Sequence, residues 1–267
     1  MRDEIDTILN EFNSLGIAQQ LDYEKFYLYS IVTHSTAIEG STVTEIENQI
    51  LFDEGIGSNK PMVEQLMNLD LKKAYVKGFE YAGKHAGMTI ELLCELSSIV
   101  MQNTGSAYRT IAGDFSSSKG DLRLLNVSAG RGGKSYLAWQ KIPDRLKSFC
   151  DWLNEERRKI HNSGKPDAKQ VYELSFEAHY RLVGIHPWAD GNGRISRLVM
   201  NMIQHEAGVI PSIVRKEKRV EYIQSLEESE ETGSSTPFIE FMLAHHMENL
   251  KRQMEEYRSS LDSTHWN

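Results

Sequence analysis

The sequence predicts a mainly α-helical chain interrupted by one small β-hairpin. Only six prolines are spread over 267 residues. Apolar side chains recur at three- and four-residue spacings through long stretches of helix-forming residues. The segment from 105 to 140 is the exception, because it is rich in glycine and serine and loses that period.

Helical patterns cover 2–39, 43–55, 61–84 and 89–103 before the interruption, then 141–161, 168–184, 193–207, 216–230 and 236–261 after it. Within it, the apolar runs Leu122–Val127 and Tyr136–Trp139 flank Gly130-Arg131-Gly132-Gly133, which predicts a hairpin over 122–139. Such an insertion is either a plain surface loop or a functional flap. In the last helix Leu243, Met247, Leu250, Met254, Tyr257 and Leu261 form a short heptad-like stripe. Packing on the chain's own core is expected, and a homodimer contact is the alternative. The expected organisation is an N-terminal helical region over 1–84, a core over 85–250 and a helical tail over 251–267 packed on that core.

Acidic side chains outnumber basic ones by 38 to 30, a net charge of −8. That balance argues against nucleic-acid and anionic-membrane surfaces, which need clustered Lys and Arg. Cys94 and Cys150 lie far apart with no metal-ligand spacing, as expected of inert thiols in a reducing compartment. The N-terminal MRDEIDTILNEF lacks the apolar core of a signal peptide, and nowhere do 18 apolar residues run together. The cytoplasm is the expected location.

Two tempting motifs fail. Ala129–Ser135 resembles a phosphate-binding P-loop, but Ser128 stands where the first glycine is required, and Pro143 follows too soon for a long helix. His205-Glu206 lacks the second histidine of a zinc motif, since Val209 holds that place.

The informative run is His186-Pro-Trp-Ala-Asp-Gly-Asn-Gly-Arg-Ile-Ser-Arg197. Pro187 disfavours helix at His186, so the preceding helix ends there. A new helix starts near Gly193 with Ile195, Leu198, Val199, Met202 and Ile203 on an apolar face, opposite a polar stripe of Arg194, Arg197 and Asn201. A glycine-rich turn at a helix N-terminus offers free N–H groups and a positive dipole end. Two arginines on that side add forked donors suited to phosphate. His186 is a candidate general base and Asp190 a candidate Mg²⁺ ligand. These are the parts a phosphoryl or nucleotidyl transfer requires.

This run resembles the Fic family signature, HPFx[D/E]GNGRxxR, with Trp188 in place of the usual phenylalanine. The resemblance implies a Fic-type helical bundle with the hairpin as a flap beside the active-site loop. It implies a protein adenylyltransferase that moves AMP from ATP to a hydroxyl of a target protein, self-modification included, with Mg²⁺ as cofactor. His186 would activate the hydroxyl and Asp190 would hold Mg²⁺. Asn192 and the amides around Gly191 and Gly193 would bind the α- and β-phosphates, Arg194 the β-phosphate and Arg197 the γ-phosphate. Tyr108-Arg109 is similar to the lead into the family's flap, whose Leu122, Leu124, Tyr136 and Leu137 would dock the target by main-chain hydrogen bonds. Glu221-Tyr222 is also similar to the family, with Tyr222 expected near the nucleotide and the base. The alternatives on the same fold are AMP removal, transfer of another phosphate-containing group, or nucleotide sensing with little turnover.

A second motif, Ser35-Thr-Ala-Ile-Glu39-Gly40, lies far upstream. Ser35 and Glu39 share a helix face, Gly40 suits the end of that helix, and Thr42 with Glu45 fits a capping box for the next. A glutamate at a helix C-terminus opposes the dipole and so calls for a partner cation. The segment resembles the family's inhibitory motif [S/T]xxxE[G/N]. The resemblance implies that Glu39 pairs with Arg197 and obstructs the γ-phosphate, with Ser35 and Gly40 fixing the inhibitory helix.

Overall fold

The computed structural model describes residues 2–128, 135–162, 164 and 167–264. Ten α-helices appear among them: α1 Arg2–Ser14, α2 Tyr23–Ile38, α3 Glu45–Glu54, α4 Met62–Gly83, α5 Ile90–Val100, α6 Ile142–Asn162, α7 Ala168–Ile185, α8 Asn192–Glu206, α9 Arg219–Thr232 and α10 Thr236–Thr264. Two strands, β1 Ala107–Thr110 and β2 Gly113–Ser116, pair antiparallel with Tyr108 opposite Phe115.

Three expectations are corrected. The helix expected over 2–39 is two helices, broken where Gly16 and Asp22 turn to positive φ (68° and 62°). The capping box of α3 is Thr44 with Glu47 rather than Thr42 with Glu45. Thr42 instead donates to Glu64 at 2.8 Å, and Glu45 reaches Ser30 and His34.

The third correction concerns the hairpin. The regular strand pair lies upstream of the expected 122–139, which shows one antiparallel bridge, Ser128 with Ser135, and a Tyr136 N–H to Val127 carbonyl bond. Its turn at 130–133 lies outside the described residues. The physical reason is Arg123, only 1% exposed, whose guanidinium holds carbonyls of both arms in place of a ladder.

Helix α8 runs through the interior against α4 and α7, with Ile195, Leu198 and Val199 fully buried. Its polar residues up to Gln204 are buried too. Asn201 accepts from the Tyr75 hydroxyl at 2.8 Å and donates to Ser212 O and to Gln204, while Gln204 donates to Ser175 and Ser212. A satisfied network of this kind removes the penalty of burying amides and fixes the helix rotation.

Two apolar clusters flank α8. One joins Tyr27, Ile31 and Val32 of α2 with residues of α4, α5, α6, α7 and α8. The other joins Ile5, Ile8 and Phe12 of α1 with Phe176, Tyr222, Phe238 and the α10 residues Leu243, Met247, Leu250 and Met254. The heptad-like stripe thus packs on the chain itself, with Leu261 at 45% exposure. No helix among the described residues is long and apolar enough to cross a membrane.

Candidate active site

The site is built on the loop between α7 and α8. Helix α7 stops at Ile185, as the following Pro187 requires, and His186 takes a left-handed φ of 52°. Such a backbone costs about 1–3 kcal/mol at a non-glycine residue unless its surroundings hold it. They do: Arg123 donates from Nε to the His186 carbonyl at 2.8 Å, and from its main-chain N–H to the Pro187 carbonyl at 3.0 Å. Trp188 is fully buried, and its indole N–H donates to Gly120 O at 3.1 Å, so the larger aromatic anchors the loop with an added polar contact.

The Asn192 side chain closes the loop. Its Oδ1 accepts from Trp188 N at 3.1 Å and its Nδ2 donates to Trp188 O at 2.9 Å. The amide is therefore occupied with the loop, and what Asn192 offers a ligand is its main-chain N–H in the first turn of α8. Gly191, the N-cap at φ 82°, makes the turn that aims those first-turn N–H groups outward. Asp190 sits at the rim with its side chain 61% exposed, one oxygen accepting from Gly191 N at 2.6 Å.

The imidazole of His186 keeps one ring nitrogen free to accept a proton. Its Nδ1 lies 3.3 Å from the Val183 carbonyl, which assigns the proton to Nδ1 and leaves Nε2 as the acceptor. Burial pushes its pKa down to about 4, against the opposing pull of the Val183 carbonyl and with Arg123 acting in the same direction as burial. The ring is neutral at physiological pH. Tyr136 lies flat against it, with centroids 3.8 Å apart and planes 15° from parallel.

Arg194 is 3% exposed, and its Nε and Nη1 have no hydrogen-bond partner. Its Nη2 touches Met101 Sδ at 3.2 Å and lies 3.5 Å from Asp190. A buried guanidinium with unsatisfied N–H groups is costly, and here it faces the N-terminus of α8. The pair fits an anionic ligand.

Arg197 is held from several sides. Nε donates to Ser35 Oγ at 2.8 Å, and Nη2 to Ser35 O at 2.9 Å and to Glu39 Oε1 at 2.6 Å. Nη1 reaches the Tyr222 hydroxyl at 3.4 Å, which bonds His179 Nε2 at 2.8 Å. Burial alone would raise the Glu39 pKa, but Arg197, then Arg194 and Arg219, outweigh it and hold the carboxyl below its ordinary range. A Cβ on Gly193 would lie 2.6 Å from Glu39 Oε1, so the carboxylate rests directly over the first turn of α8. Gly40, at φ 103°, turns the chain away behind it, and Arg219 Nε fastens the helix end at Ile38 O (2.8 Å).

The fold thus gathers His186, Asp190, Gly191, Asn192, Gly193, Arg194, Arg197, Ser35, Glu39 and Gly40. Tyr222 is 2% exposed, and its hydroxyl lies between Arg197 and His179. Of the flap residues, Tyr136 covers His186, Leu137 offers its carbonyl to Arg123, Leu122 packs on the core, and Leu124 O accepts from Thr110 at 3.4 Å. A cleft of about 1270 Å³ opens between Tyr136, Leu137 and α9, lined there by Arg219, Ile223, Glu227 and Glu230. Sequence reasoning missed Arg123 and His179. The one available signal for Arg123 was a charged residue inside the apolar run Leu122–Leu125.

Residues 87–204 match the Fic/DOC family model. That stretch of the chain is a Fic domain. The chain is similar to protein adenylyltransferase fic-1 of Caenorhabditis elegans, 25% identical over 98% of this chain and 48% of that one. Protein adenylyltransferase Fic of Drosophila melanogaster is 26% identical over 90% of this chain and 44% of its own length. The chain therefore spans about half the length of these relatives. A Fic domain containing signaling protein from Bacteroides thetaiotaomicron has the same fold, with a TM-score of 0.79 at 20% identity, covering 96% of this chain and 98% of that one. The Fic-1 structure from C. elegans gives 0.73 at 24% identity, over 97% and 72%.

Proposed function

We propose that this Fic domain protein is a protein adenylyltransferase that transfers AMP from ATP to a hydroxyl of a target protein, and that Glu39 restrains it. The observation that carries this reading is the spacing along one loop. His186, a neutral base, stands at one end, and the amide turn with Arg194 stands at the other. A hydroxyl at Nε2 of His186 and a phosphate at the first turn of α8 would meet over six residues of backbone.

His186 would take the proton of the attacking hydroxyl. The N–H groups of α8 and the guanidinium of Arg194 would stabilise charge on the phosphate oxygens during in-line displacement at the α-phosphorus, with pyrophosphate leaving. Asp190 would hold Mg²⁺ at the rim. Its exposed carboxylate engages Gly191 N through Oδ1 and leaves Oδ2 for an ion that phosphate oxygens and water would complete. When bound, Mg²⁺ would neutralise phosphate charge. Arg197 would meet the γ-phosphate once Glu39 leaves it. The adjoining cleft has room for the nucleoside, and the flap beside it for a target segment docked through main-chain bonds. The transfer reaction draws support from the names of the relatives, and the residue roles from the geometry alone.

The test is label transfer from α-labelled ATP with Mg²⁺, using Glu39→Gly protein and a Glu39→Gly/His186→Ala control. Protein-bound label in the first and none in the second is the expected result. No label from a folded, ATP-binding first variant would refute the proposal.

A second reading follows from Glu39 lying over the first turn of α8, where a carboxylate can also orient a water. In it, the unsubstituted chain removes AMP from modified protein and loses that activity with Glu39→Gly.

A further inference from the structure

His186 needs an external hold, because a left-handed backbone is uncommon for any residue that carries a side chain. Most of that hold comes from Arg123, a residue with no part in the chemistry described above. Its main-chain N–H and its Nε take two consecutive carbonyls of the base loop, Pro187 O at 3.0 Å and His186 O at 2.8 Å. The two remaining nitrogens take the flap, Nη1 reaching Leu125 O at 2.6 Å and Nη2 reaching Leu137 O at 2.5 Å. One side chain therefore fastens two segments to each other.

Charge makes the arrangement informative. Arg123 is 1% exposed, and no carboxylate among the described residues lies within ion-pair distance of it. Burial lowers its pKa accordingly. A buried cation with only neutral partners is expensive to desolvate. What a guanidinium supplies there, and an apolar side chain does not, is a rigid fork of donors directed at several acceptors at once. Leu137, one of those acceptors, follows Tyr136, whose ring covers the imidazole of His186. The fork thus governs the base from both sides: through its own carbonyl and through the aromatic ring laid on it.

We propose that Arg123 is a positioning residue that locks the flap to the base loop, so that His186 holds its working orientation only while the 125 and 137 segments are seated. The proposal rests on the reading of His186 as general base. Its test therefore includes a readout that needs no turnover.

The protein contains nine histidines, so ring-labelled histidine gives a resolvable NMR spectrum. In Arg123→Met the His186 ring signals shift or broaden while those of His34 and His246, remote from the flap, stay in place. In the Glu39→Gly background the same substitution lowers kcat for AMP transfer at least ten-fold, with ATP affinity within two-fold of the parent. Arg123→Lys, which keeps the charge but not the fork, recovers only part of the rate. The proposal is overturned by unchanged His186 signals in folded Arg123→Met, or by ATP affinity falling in step with kcat, which would mark a merely structural residue. If Arg123→Met does not fold, Arg123→Lys is judged on the same signals. If the Glu39→Gly parent transfers nothing, the adenylyltransferase reading fails, and the NMR result alone still decides the role of Arg123.

Discussion

Arg197 and Glu39 meet at 2.6 Å although 158 positions separate them, and the arginine is 3% exposed while about a third of the glutamate side chain faces solvent. The pair is therefore asymmetric. The arginine is committed to the interior with Ser35 and Tyr222 as further partners, and the glutamate is the member that can leave.

Glu39→Gly should accordingly fold, because Arg197 keeps its other contacts. With one edge of the pair screened by water, the loss of stability is expected to be about 1 kcal/mol by denaturant titration. Label transfer from α-labelled ATP should rise at least ten-fold, equivalent to about 1.4 kcal/mol of barrier. Unchanged incorporation in protein shown to bind ATP would speak against restraint by Glu39.

Acid should weaken the fold through its histidines. Burial depresses the pKa of His186 and His245 to about 4 and of His246 to about 3, and holds His179 far below the ordinary value of 6.5. Between those values and 6.5 the unfolded chain binds protons that the folded chain refuses, so stability rises with pH across this window and falls as pH drops through it. Urea midpoints at pH 7.5 and pH 5 should differ by at least about 2 kcal/mol of stability. His246 has neither ring nitrogen partnered and lies against Tyr172, with centroids 4.4 Å apart. His246→Phe should keep stability at pH 7.5 within about 1 kcal/mol and reduce the acid loss.

Trp188→Phe restores the usual family aromatic but removes the bond to Gly120 O and leaves space in a fully packed pocket. A loss of about 1–3 kcal/mol is expected in thermal or urea unfolding, with AMP transfer retained. A variant as stable as the parent would show that the loop does not depend on that contact.

Asp190→Asn tests the metal. The side chain is exposed, and an amide oxygen still accepts from Gly191 N, so folding should be unaffected. The Mg²⁺ concentration giving half-maximal transfer should rise at least ten-fold. An identical Mg²⁺ titration would remove Asp190 from that role.

Much of the site was legible because it is contiguous. The sequence from His186 to Arg197 carries base, turn, cradle and arginines in one stretch, and Ser35 to Glu39 form a second short unit. The helices were legible from their apolar period, with one failure: Ile17 and Leu21 carry the pattern across a break made by Gly16 and Asp22. The regular strand pair was misplaced because Leu122–Val127 has strand-like composition, whereas its backbone is fixed by the Arg123 side chain, and strand periodicity does not register such contacts. Arg123 and His179 stayed hidden for a related reason. Each acts on a residue distant in sequence, 63 positions for Arg123 to His186 and 43 for His179 to Tyr222, and spacing does not encode such pairs.

Tyr27, Ile31 and Val32 anchor α2 in the main core, each at 9% exposure or less. Peeling that helix away would expose them together at a cost of roughly 5 kcal/mol, comparable with the stability of an entire domain. The carboxylate at its end, by contrast, sits at an open edge. What restrains Arg197 is therefore a latch on a fixed post. In the proposed restraint, opening the latch would call for the swing of one side chain, a motion of nanoseconds, and a signal biasing only that rotamer would change the tempo of the whole molecule.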